Sequence, residues 1–199
     1  MPTARPKPAK LDLPVLPFPS DRAWEAWLAK NHAASPGIWL KFAKKGSGIP
    51  SVYYPQALEV ALCYGWIDGQ LKSLDERYYL QRFTPRRPKS KWSKINCTKA
   101  TGLIDAGRMK PAGLRQVEAA RADGRWDSAY GSPSTITVPP DLRAALEKNP
   151  KAKAFFATLT GRNRYAILYR LYDAKRPETR AKRIAQFIEM LSAEKKPYP

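Results

Sequence analysis

Two prolines, Pro85 and Pro88, divide this chain into a part able to build a sheet and a part that has to be helical. Proline cannot donate to a strand ladder, so neither residue sits inside a continuing strand. Upstream, Arg77 to Phe83 alternates, with Tyr78, Leu80 and Arg82 on one side and Tyr79, Gln81 and Phe83 on the other. Ile38-Trp39-Leu40-Lys41-Phe42 has the bulky residues of a second strand. Trp66-Ile67-Asp68, closed by Gly69, is a short extended segment, and the polar run Gln70 to Glu76 turns the chain before Arg77. The expected fold class is α+β, with a small antiparallel sheet of two to three strands, flanking helices and an all-helical C-terminal portion.

The helices announce themselves by their ends. Ser20 is an N-cap ahead of Asp21, with Trp24, Trp27 and Leu28 on one face. Pro55 opens a helix through Leu58 and Leu62, with Gly65 at its C′ position. After Pro88, Ser90 is the expected N-cap of a helix through Trp92, Ile95, Asn96 and Leu103 that stops at Gly107. Pro111 starts the next, which stops at Gly124. Trp126 to Pro140 is an irregular connector. Helices then follow over 141–146, 150–159 and 163–172 and from Pro177, the last with Ile184, Phe187, Ile188 and Leu191 at helical spacing. Residues 1–17, rich in Pro and Lys, read as a flexible arm, 18–192 as one domain (central motif 55–106, helical portion 139–192), and 193–199 as a frayed tail.

Charge is the strongest bulk property. The formal net charge is +19, which favours phosphate-bearing partners such as nucleic acid or a phosphorylated small molecule, or an anionic membrane surface. The same charge also suits a merely solvated surface. A hydrophobic fraction of 43% is enough for a folded core. No run approaches the roughly 18–20 apolar residues that span a bilayer. The first residues have no apolar stretch of signal-peptide type, so a cytoplasmic location is expected. Cys63 and Cys97 are expected to be reduced thiols. With one histidine, His32, and no CxxC, the chain offers no zinc ligand set. Neither a GxGxxG nor a Walker motif is present, so no cofactor is expected.

The candidate site lies between Gly65 and Asn96. From Arg77 to Lys99 eight basic residues occur with no acidic one, interleaved with Trp, Ser, Thr and Asn. Arg82, Arg86 and Arg87 carry planar forks suited to phosphate or carboxylate. Thr84, Ser90 and Ser93 add hydroxyls, and a helix starting at Ser90 would add free backbone N–H groups. Against this stands the reading in which the arginines pair with Asp68, Asp75 or Glu76 and tie sheet to helix. Asp68, expected to be largely buried, either faces Arg82 as an ion-pair partner or serves as a general acid or base. Trp66 and Trp92 are stacking surfaces or core, and Asn96 shares the Trp92 face if both are helical. Lys175, Arg176, Arg180, Lys182 and Arg183 form a second basic group, either an extension of the site or a solvated face.

Several motifs together resemble a known bacterial family. They are Ala57-Leu58-Glu59, Gly65-Trp66-Ile67-Asp68-Gly69, Arg82-Phe83-Thr84-Pro85-Arg86-Arg87, then Ser90, Trp92, Ser93 and Asn96. Gly107-x-Met109, Pro139-x-Asp141-Leu142, Ala174 through Arg180 and Arg183-Ile184 follow. The set is similar to the YdeI/OmpD-associated (bacteriocin-protection, OmdA-type) family over roughly residues 18–192. The resemblance implies a stress or bacteriocin-tolerance role and an envelope-related protein partner, but it carries no agreed reaction or catalytic residue. Three functions stay open: an anion-binding module, an enzyme using Asp68 with Arg82 and Arg86, and a protein-interaction factor.

Overall fold

The computed structural model describes residues 11–199, and the first ten residues of the expected arm lie outside them. Among the described residues the chain forms eight helices and a four-stranded mixed sheet, an α+β protein. It divides into two compact units, one of the described residues up to Ser90 together with 96–127, the other of residues 91–95 and 128–199.

The first unit holds the sheet. β1 (Val15–Pro17) runs into α1 (Asp21–Asn31), and α1 returns the chain to β2 (Ile38–Ala43), which lies parallel to β1. A helical crossover of this kind is what a parallel pair requires. α2 (Tyr54–Cys63) then leads into β3 (Trp66–Ser73) and β4 (Tyr78–Pro85). The sheet order is β1-β2-β4-β3, and β4 is antiparallel to both its neighbours. The sheet therefore has one strand more than the sequence suggested, and that strand is parallel. It comes from the segment read as an arm, because Val15 to Pro17 completes the open edge of β2. α3 (Lys94–Asp105) and α4 (Pro111–Ala122) follow, mostly or wholly in this unit.

Local chemistry sets these boundaries. Ser20 Oγ accepts the Ala23 N–H at 3.2 Å and caps α1 as expected. The α1 face buries Trp24 and Leu28 against the sheet, where Trp24 meets Phe83 at 5.8 Å and Trp66 at 6.1 Å between ring centres. Trp24 Nε1 donates to the Ala57 carbonyl, so its one polar atom is satisfied inside the core. Gly65 ends α2 with φ +74°. A Cβ there would stand 2.8 Å from the Ala112 carbonyl oxygen. The same glycine's carbonyl accepts the Arg86 N–H at 2.9 Å and extends the β3–β4 pairing past Pro85.

The second unit is helical: α5 (Pro140–Glu147), α6 (Pro150–Thr158), α7 (Gly161–Asp173) and α8 (Pro177–Ser192). Proline begins α5, α6 and α8, where its missing N–H costs nothing. Leu142, Leu146, Phe156, Ile167, Leu168, Leu171, Phe187 and Leu191 make one core. Arg180 clamps it from outside, its guanidinium on the Asp141 carboxylate and its Nη1 on the Leu171 carbonyl at 2.6 Å. Residues of the C-terminal tail make contacts with α7. Tyr198 N–H donates to Asn163 Oδ1 at 2.9 Å, and Arg162 lies over the Tyr198 ring at 4.0 Å.

Two outcomes follow. Gly65→Ala combines a left-handed φ with a backbone clash, so it should lower stability by about 1–3 kcal/mol in urea denaturation, whereas Gly102→Ala, in open space within α3, should not lower it. Hydrogen bonding from Arg180 holds the Asp141 carboxyl below the ordinary aspartate range. A depressed carboxylate stabilises fully above its unfolded value and loses that contribution as pH falls through the folded one. Asp141→Asn should therefore reduce stability at neutral pH and flatten the acid side of the stability–pH curve, measured by denaturant midpoints between neutral and acid pH.

Candidate functional site

Cross-strand register places the candidate residues. Asp68 on β3 lies directly opposite Phe83 on β4, and Trp39 on β2 lies opposite Arg82. Paired residues project from the same face, and neighbours along a strand from opposite faces. Asp68 and Phe83 therefore share the face covered by α1, while Arg82 and Trp39 share the other. The expected Asp68–Arg82 pair does not form. Arg82 Nη2 pairs with Asp12 Oδ2 at 2.9 Å, and Trp39 Nε1 donates to Asp12 Oδ1 at 3.1 Å. That indole bond, helped by Arg82, draws the Asp12 carboxyl below the ordinary aspartate range. Lys72 lies over the Trp39 ring at 4.6 Å. Arg82 is thus a tie for residues 11–17, whose Pro- and Lys-rich composition suggests a flexible arm.

The arginine turn takes a different form from the expected cradle. Arg86 is buried, with 5% exposure, so it is not presented to a soluble partner. Arg87 and Ser90 close a turn on each other: the Ser90 N–H donates to the Arg87 carbonyl, and the Arg87 N–H donates to Ser90 Oγ, both at 2.9 Å. Arg125 Nη1 holds the Ser90 carbonyl at 2.8 Å. Ser90 is consequently not an N-cap, and its hydroxyl is committed to its own turn. Arg87 and Lys89 are exposed on that turn, and their side chains have no hydrogen-bond or ion-pair partner among the described residues.

The helix expected from Ser90 begins at Lys94. Before it, in the second unit, the Tyr130 N–H donates to the Trp92 carbonyl at 3.0 Å and the Lys94 N–H donates to the Tyr130 carbonyl at 2.9 Å. This extended pairing, with Ser93 opposite Tyr130, excludes helical geometry until Lys94. It also occupies the first backbone donor that an anion would use. Trp92 precedes the helix and is 2% exposed, so its ring is no stacking platform and it does not share a helical face with Asn96. Trp66, 1% exposed with Nε1 on the His32 carbonyl at 3.1 Å, is likewise core. Thr84 lies opposite Ile67 and packs so closely on Gly37 that a Cβ there would stand 2.7 Å from its methyl. Asn96 is buried in α3.

Other chemistry is limited. Burial pushes the Cys63 and Cys97 thiols up, the second partly offset by Arg86, so neither is an activated nucleophile. Both cysteines are free. Burial beside Tyr130 and Tyr169 raises the Tyr165 hydroxyl to about 12. His32 Nδ1 lies 2.9 Å from the Leu28 carbonyl, one turn back on its own helix. In the second basic group, Arg183 reaches Asp173 at 3.9 Å and Lys175 lies over the Tyr172 ring at 4.6 Å. Arg180 and Arg183 are therefore structural, and Lys175, Arg176 and Lys182 stay exposed.

A cavity of about 420 Å³ opens beside Asp68, lined by Tyr54, Asp68, Gly69, Leu71, Tyr79 and Gln81. Between Asp68 and Leu71 the register shifts, so that β3 spends three steps where β4 spends two. This bulge puts both Asp68 and Leu71 on the face of Gln81 and Tyr79. It also leaves the Gly69 carbonyl off the ladder, and Gln81 Nε2 donates to it at 2.7 Å. Tyr54 Oη donates to Asp68 Oδ2 at 2.9 Å. The alternation of β4 had placed Tyr79 and Gln81 together. A polar Gln in an otherwise aromatic and aliphatic face was the one signal pointing to the cavity, and the bulge that adds Asp68 has no local signature.

Residues 16–116, a little over half of the chain, match the family model described as a domain of unknown function (DUF8412). Residues 135–194 match the model described as bacteriocin-protection, YdeI or OmpD-associated. The second match covers the helical segment only, so most of the stretch on which the resemblance was read, Gly65 to Asn96 included, falls within the first. No curated protein and no solved structure matches the chain.

Double-mutant cycles separate the observed tie from the expected one. The Asp12→Ala/Arg82→Ala cycle should show a coupling energy in denaturant unfolding, and the Asp68→Ala/Arg82→Ala cycle should show none within error.

Proposed function

Starting from a chain that belongs to the DUF8412 family of domains of unknown function and carries a bacteriocin-protection, YdeI or OmpD-associated segment at residues 135–194, we propose a cytoplasmic anion-binding role in bacteriocin or envelope-stress tolerance. The partner is phosphate-bearing, and the contact is made by exposed cations of the Arg86–Ser90 turn. One observation carries this reading. The turn is fixed by its own backbone and by Arg125, while Arg87 and Lys89 are exposed on it with their charges uncommitted. A preorganised turn holds its cations in place before binding, so little ordering cost is left to the complex.

Stoichiometry supports the same direction. Thirty-six Lys and Arg residues face seventeen Asp and Glu. Even with every carboxylate paired to one base, the excess of +19 has to be balanced by solvent ions or a partner. Counterions released from a phosphate polymer then supply the driving force. No helix among the described residues is long and apolar enough to cross a membrane. The tolerance role rests on the family description of the helical segment alone.

Binding to a fluorescein-labelled single-stranded oligonucleotide, titrated from low to high salt, tests the reading. The logarithm of the association constant should fall linearly with the logarithm of salt concentration, by about 0.7 per phosphate contacted. Replacing both Arg87 and Lys89 with Ala should weaken binding and reduce that slope by about 1.4. A salt-independent affinity, or a slope untouched by the double variant, would remove this role from the turn.

A further inference from the structure

The cavity beside Asp68 asks for a ligand of the opposite charge to the one expected of so basic a chain. Its open hydrogen-bonding capacity is led by two acceptors, on Asp68 and Gln81, beside the Tyr79 hydroxyl, which can donate or accept. Asp68 receives the Tyr54 hydroxyl on Oδ2, and Oδ1 has no donor among the described residues. The Gln81 amide nitrogen is committed to the Gly69 carbonyl, which leaves Oε1 as an acceptor in the buried wall. No Lys or Arg reaches Asp68 within ion-pair distance among the described residues, so no cation of the chain itself occupies the carboxylate. The remaining walls are apolar or aromatic: Leu71, the Tyr54 ring, and the Tyr79 ring, which is stacked on Phe42 at 5.0 Å.

We propose that this cavity binds a primary alkylammonium group, with the cation on Asp68 and the alkyl chain against Leu71 and Tyr79. An ammonium carries three donors and can use single acceptors such as Asp68 Oδ1 and Gln81 Oε1. A guanidinium fork prefers both oxygens of one carboxylate, and Tyr54 already holds one of them. A metal ion would need several ligands, and among the described residues no group of three or more His, Cys, Asp or Glu stands together. Tyrosine rings add cation–π attraction at such a site. The volume of about 420 Å³ is within the range of roughly 300–1,000 Å³ usual for small-molecule pockets. Two sources present this chemistry, a free alkylamine and the lysine side chain of a polypeptide.

The test is amide and side-chain NMR of the full chain titrated with n-butylamine and with Nα-acetyl-lysine amide, with n-butanol as the neutral control. Both amines, or butylamine alone, should shift Asp68, Gly69 and Gln81 resonances and give contacts from ligand methylenes to Leu71 and Tyr79, with butanol silent. Binding of butylamine alone assigns the site to small free amines; binding of both shows that it admits a lysine side chain. Asp68→Asn should weaken binding by roughly tenfold or more, the loss expected for a hydrogen bond to a charged group. The variant should fold, because the substituted amide can still accept the Tyr54 hydroxyl through its carbonyl oxygen. Should it not fold, the wild-type contact map decides alone. Equal binding by butanol, undiminished binding in a folded Asp68→Asn, or no amine contacts at Leu71 and Tyr79 would each overturn the proposal.

Discussion

Pairing of β3 with β4 governs which charges of the first unit can meet. With Asp68 opposite Phe83, the carboxylate is on the α1-covered face, and the arginine one residue along β4 is on the other. No side-chain rotation moves a group through a sheet, so the pairing that the sequence invites, Asp68 with Arg82, is ruled out by geometry rather than by energy. Arg82 then needs a carboxylate on its own face, and Asp12 supplies it. That contact, with the Trp39 indole on the same carboxylate, brings residues 11–17 down on the sheet and lets Val15 to Pro17 add a parallel strand. The bulge after Asp68 follows the same logic in reverse: an extra residue restores the phase, and Leu71 joins the face that Asp68 began.

Carboxylates are scarce in this chain, so each placement carries weight. Glu59 on α2 takes both Lys99 and Arg108 and is held below the ordinary glutamate range by the Lys99 hydrogen bond. Asp141 takes the Arg180 fork, and Asp173 takes Lys91 and Arg183. Each of these pairs is partly exposed and contributes modestly, about 1 kcal/mol or less. Together they tie distant parts of one unit: Lys91 to α7, and α5 to α8. Asp68 differs from all of them. It is half-buried, and its one partner among the described residues is a neutral hydroxyl.

What was legible in the sequence was the chemistry that acts within a few residues. Ser20 caps α1, Gly65 takes the left-handed conformation after α2, and Pro111, Pro150 and Pro177 start helices, because each effect depends only on the local backbone. Ser90 had the same credentials as Ser20 and failed as a cap. Tyr130, forty residues further on, pairs with the backbone on both sides of Ser93 and holds it extended. The Asp12–Arg82 tie, spanning seventy residues, and the bulge at Gly69 have no local signature. Both depend on register, and register is set by the whole pattern of packing rather than by any one residue. Burial of Trp66, Arg86, Trp92 and Asn96 and the pairing of Arg82 with Asp12 follow from these distant contacts, which no single stretch of sequence displays.

The two family matches fall along the same division as the two units. The match over 135–194 lies within the helical unit, and the match over 16–116 lies in the sheet-bearing unit apart from residues 91–95. The first unit contains both the Arg87–Lys89 turn and the Asp68 cavity, so both lie in the segment whose family description names no role. The turn and the cavity ask for partners of opposite sign. They need not compete: at about 0.15 M salt, charges in solvent are screened over roughly 8 Å, whereas a half-buried carboxylate under aromatic walls is screened less. A basic surface therefore does not forbid an acceptor-lined pocket in the same unit. What sets Asp68 apart is its place, half-buried on a cavity wall with the Tyr54 hydroxyl rather than a base on its carboxylate.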